Sequence, residues 1–165
     1  MQIPYRKPGK FTNLKPDPLL TEEKFLKLKQ KLERLKNSQP QAAADVAQLA
    51  ELGDFSENAE YQYAKARLRG INYGILSLES QINQAEIITV PKQMDAIQLG
   101  HQVTVEINGQ KKIYQILGSS ETNPQKGIIS YNSPIGEALL GRSVGETVKI
   151  KLADKEVLYK IIRID

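Results

Sequence analysis

Three carboxylates, Asp54, Glu57 and Glu60, stand at three-residue intervals in the run Gly53-Asp54-Phe55-Ser56-Glu57-Asn58-Ala59-Glu60-Tyr61. Around a helix start, positions i and i+3 lie on one side, so Asp54 and Glu57 can project together as hard oxygen donors for a cation such as Mg²⁺. The same spacing also fits a capping box, with Asp54 as N-cap and Glu57 reaching back to it, which needs no metal. Glu60 reads equally as an acid supporting a ligand or as compensation for the positive end of the helix. Asn58 and Tyr61 are candidates for shaping the run, the Tyr61 ring as core. Just behind it lie Lys65, Arg67 and Arg69, which are either a solvated face or a contact for nucleic-acid phosphates.

The elements on either side decide where these groups end up. Thr21, followed by Glu22 and Glu23, supplies an N-cap and first-turn acids. Phe25, Leu28, Leu32 and Leu35 then follow the three-four spacing of a coiled-coil seam, continued by Gln39, Ala42, Val46 and Leu49. Pro40 removes a backbone donor, so a kink or restart is expected over residues 37–41. The seam resumes in Tyr61, Ala64, Leu68, Ile71, Ile75, Leu78, Ile82 and Ala85. Two such seams joined by a short glycine-containing turn bury themselves by folding back, which predicts an antiparallel helical hairpin over residues 19–90 with the acidic run, residues 53–61, at its tip. A helix of about 30 residues is about 45 Å long, so the tip would stand far from the base.

The period changes after Pro91. Val103, Val105 and Ile107 alternate before Asn108-Gly109, a hairpin turn signal, and Ile113, Gln115 and Leu117 lie in the answering strand. A further strand over residues 127–131, a short helix opening at Pro134 and ending at Gly141, and a last hairpin over residues 148–164 complete a small α+β domain over residues 91–165. Residues 1–18 carry Arg6, Lys7, Lys10 and Lys15 among four prolines and predict a basic, non-helical tail.

Composition mainly excludes. The 165 residues contain no cysteine, which removes disulfides, thiolate zinc sites and catalytic thiols. His101 is the one histidine, so a histidine-based triad or metal site has no second member, and it is expected at the surface before a strand. No apolar run approaches the roughly 20 residues that span a bilayer, and a cytoplasmic location is expected. Lys+Arg 23 against Asp+Glu 19 gives a net charge of +4, which permits nucleic-acid contact. Lys24, Lys27, Lys29, Lys31, Arg34 and Lys36 meet only Glu33 within their own stretch and read as a solvated face with some contact to RNA or to a protein partner.

The acidic run, on a hairpin entered through Pro40, resembles the signature of the bacterial Gre transcript cleavage factors. Ser130-Tyr131-Asn132-Ser133-Pro134-Ile135-Gly136-Glu137-Ala138-Leu139-Leu140, followed by Gly145-Glu146, resembles that family's C-terminal signature. Together the two motifs extend the likeness over residues 20–164. Tyr61-Gln62-Tyr63, Lys65 and Arg67-Leu68-Arg69 are closer to the GreB branch than to GreA, and the basic tail departs from both. The resemblance implies an α+β protein with a coiled-coil hairpin and an FK506-binding-protein-like C-terminal domain. It further implies a monomeric, non-enzymatic partner of RNA polymerase whose tip enters the secondary channel of a backtracked complex. There Asp54 and Glu57 would help hold the second Mg²⁺, bound only in that complex, while the polymerase cuts its own nascent RNA, with Lys65, Arg67 and Arg69 near the RNA. A channel-binding regulator without cleavage, and a coiled-coil adaptor or chaperone, are the other readings of the same hairpin. Polymerase-facing residues of the C-terminal domain are expected on loops such as residues 119–126.

Overall fold

The computed structural model describes residues 17–51, 59–152 and 155–165, with only the backbone described at residues 152 and 155. Strand β1 (Leu19–Leu20) leads into helix α1 (Glu22–Glu51). Helix α2 (Ala59–Asn83) returns to β2 (Glu86–Ile87), which pairs in parallel with β1. Thr21 caps α1 as its sequence predicts, its Oγ1 accepting from Lys24 N at 3.2 Å while Phe25 N donates to Thr21 O at 3.0 Å.

The two helices are antiparallel. Lys36 pairs with Glu79 at 2.6 Å, Gln39 Nε2 donates to Asn72 Oδ1 at 2.7 Å, and Arg67 pairs with Asp45 at 3.1 Å. The predicted seam is the buried one. Ala42, Ile71 and Ile75 form its centre, packed by Leu32, Leu35 and Leu68. Gly74 lets Leu35 lie against the α2 backbone, since a Cβ there would sit 2.8 Å from Leu35 Cδ1.

Of the kink or restart expected at Pro40, the restart is absent: α1 runs through the proline as a single helix. Proline leaves the carbonyl of residue 36 without its usual donor. Pro40 faces outward, where water can serve that carbonyl, while Leu35 and Ala42 on either side of it remain packed in the seam against α2.

The second half is a five-stranded sheet in the order β5-β4-β3-β7-β6, built from β3 (Gln102–Ile107), β4 (Gln110–Leu117), β5 (Ile128–Ser130), β6 (Thr147–Leu152) and β7 (Lys155–Ile164). All neighbours are antiparallel except β4 and β5. Asn108 (φ 51°) and Gly109 (φ 77°) give the β3–β4 turn the two left-handed positions of a type I′ hairpin, whose twist matches its strands. Alternation along β3 buries Val103, Val105 and Ile107 on one face, where Ile116, Leu139 and Ile161 meet them. Helix α3 (Pro134–Leu139) closes this core, with Ser133 as N-cap accepting from Gly136 N at 3.0 Å. The α+β class, a helical hairpin followed by a sheet-rich domain, is the one expected from sequence.

His101 is a second correction. It is fully buried, with Nε2 3.0 Å from Pro91 O and Nδ1 accepting from Gln98 N at 3.2 Å. A carbonyl on one side and an N–H on the other assign the proton to Nε2. The ring thus ties the segment leaving the hairpin to the start of β3, a contact that no local pattern announces.

Candidate functional site

Asp54, Glu57 and Asn58 fall within residues 52–58, outside the described residues, and so does the choice between cap and ligand for the two acids. The ends that hold this segment are described. Glu51 closes α1 on an exposed turn, and Ala59 and Glu60 open α2 equally exposed. Tyr61 is half-buried at the head of the α2 seam, as expected for its ring. Since α1 starts beside the sheet domain and has 30 residues, its far end stands about 45 Å away at 1.5 Å per residue.

Near this end a groove of about 430 Å³ opens between the helices, lined by Asp45, Leu49, Glu60, Tyr63, Ala64 and Arg67. The three cations behind the tip do not form one patch, because helical geometry spreads them around α2. Lys65 Nζ lies 5.2 Å from the centre of the Tyr61 ring. Arg67 crosses the hairpin to Asp45, so part of its charge is already answered. Arg69 is exposed on the outer face. Of the three, Arg67 is thus the one tied to the opposite helix, while Lys65 and Arg69 stand on exposed positions of α2.

The basic stretch of α1 is less uniform than its sequence suggests. Lys27 pairs with Glu23 one turn earlier, Lys36 with Glu79 of α2, and Lys29 Nζ lies 4.5 Å over the Phe25 ring. The hydrogen bond from Lys27, and then its charge, hold the Glu23 carboxyl below its usual range. Glu33 is thus not the only acid that this face meets, because partners come from before the stretch and from the other helix.

Sequence reasoning missed the base of the hairpin. Thr21 N donates to Glu121 Oε1 at 2.6 Å and Thr21 Oγ1 donates to Glu121 Oε2 at 2.7 Å. Asp17 Oδ2 accepts from Ser119 N at 2.7 Å, and its Oδ1 accepts from Leu19 N at 3.1 Å. Residues 119–126, expected as a loop facing a partner, are two short 3₁₀ turns, Ser119–Glu121 and Pro124–Lys126, and the first of them is bound to the hairpin. No sequence signal links residues a hundred positions apart. The one local hint is that Asp17 is the first acid after a wholly basic tail.

Among the described residues no group of three or more His, Asp or Glu side chains is placed to hold a metal, and no helix is long and apolar enough to cross a membrane.

Two family profiles match the chain in succession. One, described as the N-terminal part of a transcription elongation factor, covers residues 18–87; the other, described as the GreA/GreB transcription elongation factor C-terminal part, covers residues 91–165. Transcription elongation factor GreA of Neorickettsia sennetsu is 39% identical over 150 residues, covering 88% of this chain and 94% of that protein. GreA of Geobacillus kaustophilus is 38% identical over 149 residues, with the same two shares. Among solved structures, the GreA factor homolog 1 protein of Thermus thermophilus aligns over 88% of this chain and 96% of that one, at 26% identity and a TM-score of 0.40, a superposition too loose to argue from. The likeness to GreB rests on the residues following the tip, while these two curated relatives carry the GreA name. With both halves matched in order and relatives aligned over nearly their whole length, the chain belongs to the GreA/GreB family of transcription elongation factors.

Proposed function

We propose that this protein enters the secondary channel of bacterial RNA polymerase hairpin first and stimulates the polymerase to cleave backtracked nascent RNA. The observation that carries the reading is the hairpin itself. Two antiparallel helices of 30 and 25 residues, the longer about 45 Å, stand on a sheet domain, and the acidic run of the sequence connects their far ends. A rod of that length exceeds what a small domain needs for its own core, and it is suited to delivering charge into a recess of another molecule.

Asp54 and Glu57 are the residues that would hold Mg²⁺, and their carboxylate oxygens are the hard donors this ion takes. In this reading the two acids act beside ligands contributed by the polymerase. When bound there, a second divalent ion positions and activates water for phosphodiester hydrolysis. The chain's own residues do the rest. The seam around Ala42, Ile71 and Ile75 keeps the rod stiff, Glu60 and Tyr61 hold the start of α2 beneath the tip, and Lys65 and Arg69 offer positive charge to the RNA that follows its 3′ end. In this reading the protein is a monomeric, cytoplasmic accessory factor, and the bonds are cut by the polymerase.

The test is a cleavage assay on purified backtracked complexes at limiting Mg²⁺. The parent protein is expected to shorten the transcript, and Asp54→Asn with Glu57→Gln to abolish most of that activity while still competing with the parent for polymerase. Full cleavage by the double variant defeats the role given to the acids. A parent that competes for polymerase without shortening RNA points instead to a channel-binding regulator.

A further inference from the structure

One side chain of the sheet domain accepts both donors at the point where the chain enters α1. Glu121 takes Thr21 N on Oε1 and Thr21 Oγ1 on Oε2, at 2.6 and 2.7 Å, and the same hydroxyl accepts from Lys24 N in the first turn of α1. The carboxylate is thus coupled through one residue to the helix start. Its surroundings reinforce the joint. Asp17 binds Ser119 N, and Gly118 approaches Leu19 so closely that a Cβ would lie 2.2 Å from Leu19 O. The second leg is clipped to the same segment, with Glu86 N donating to Pro18 O at 2.7 Å and Ile88 N to Leu20 O at 2.8 Å.

The geometry matters because the hairpin is a lever. Over about 45 Å, a tilt of about 5° at the base moves the far end by about 4 Å. Productive catalytic geometry tolerates displacements of only about 1 Å. A hairpin held merely by its chain connections would miss that tolerance.

We infer that Glu121 is a positioning residue: its two-pronged hydrogen bond to Thr21 fixes the angle between hairpin and sheet domain, so that docking of the domain sets where the tip arrives. The consequence for cleavage rests on the proposed function, whereas the lock itself does not.

Because the chain has no cysteine, Ala66→Cys and Lys111→Cys, both at exposed positions, give two clean sites for spin labels on the full protein. Dipolar electron resonance is expected to give one narrow distance distribution in the parent. Glu121→Ala, and independently Thr21→Val, should broaden it or move its mean by about 2 Å or more, the displacement that a tilt of about 5° gives at Ala66, which lies about 25 Å from the base of α2 at 1.5 Å per residue, with helix content and sheet-domain melting retained. Glu121→Gln keeps one acceptor and should fall between. In cleavage assays with the unlabelled proteins, Glu121→Ala should lower the maximal rate about tenfold or more, the scale of loss that misplacement produces, and leave the half-saturating concentration within about twofold. Unchanged distance distributions in both variants overturn the lock. Altered distances with an unchanged maximal rate overturn its role in positioning. Absence of cleavage by the parent would defeat the proposed function instead, and the distance measurement would still decide whether Glu121 locks the angle.

Discussion

Gly136→Ala should unfold the sheet domain at a markedly lower temperature, although alanine is the better helix former. A Cβ at Gly136 would lie 2.2 Å from Ser130 O and 3.0 Å from Ser130 C and Tyr131 Cα, all of them backbone atoms. Relief requires α3 and the end of β5 to part by about 1 Å, an overpacking that costs about 1–3 kcal/mol. The shift also strains the corner in which Ser130 O accepts from Ser133 N at 3.0 Å and from Ser133 Oγ at 2.7 Å. Weakening two hydrogen bonds adds about 1–2 kcal/mol. Against this, replacing a helical glycine returns about 1 kcal/mol.

The net loss is therefore about 1–4 kcal/mol, and at about 4–8 °C per kcal/mol for a domain of this size the Tm should fall by about 5–30 °C. Near-ultraviolet circular dichroism follows Tyr114, Tyr131 and Tyr159 as that domain melts, while the far-ultraviolet helical band follows the hairpin. Gly70→Ala is the control. A Cβ at Gly70 would meet nothing within 4 Å, and the position is exposed, so the substitution should stabilise the hairpin by about 0.5–1 kcal/mol. If Gly136→Ala melts within about 2 °C of the parent, the close approach is not what demands glycine in that motif, and the reasoning fails.

Two further outcomes follow from the same structure. Burial, and next its neighbour Tyr114 at a ring separation of 6.5 Å, raise the Tyr159 phenol above its usual value of about 10. Its stabilising contribution is therefore complete below about pH 10 and lost as pH rises through the higher folded value; urea midpoints should fall with alkaline pH, less steeply in Tyr159→Phe, and equal slopes would refute this. Neutralising Lys65 and Arg69 to glutamine should weaken action on long extruded RNA more than on short, and lower the log-salt slope by about 0.7 for each phosphate that the protein no longer neutralises. Adding Arg67→Gln should cost little more, because that guanidinium already serves Asp45; equal loss on both RNA lengths would remove the RNA role.

What could be read from the sequence depended on how local its cause is. Thr21 caps α1 through atoms three residues away, and Asn108-Gly109 turns a hairpin through its own backbone angles, so both are visible in a few consecutive letters. The two seams are also local, because helical periodicity alone puts Leu35, Ala42, Ile71 and Ile75 on inward faces. Pro40 shows the limit of this logic: propensity allows a kink or a restart, and with the second helix packed on both sides of the proline the helix does not restart.

His101 and Glu121 mark the boundary more sharply. An isolated histidine and an acid in a serine-rich stretch carry no sequence signal of burial or partnership, since Pro91 and Thr21 become their neighbours only after the chain has folded. Asp54 and Glu57 belong to the opposite case: their types, spacing and place between two seams are a property of the sequence, as is the hairpin that carries them. The residues themselves therefore determined that acidic groups are carried at the end of a rod. Tertiary structure alone decided how the rod is fastened to the sheet domain, because that fastening is made of hydrogen bonds between segments a hundred residues apart, and no pattern within either segment encodes the other.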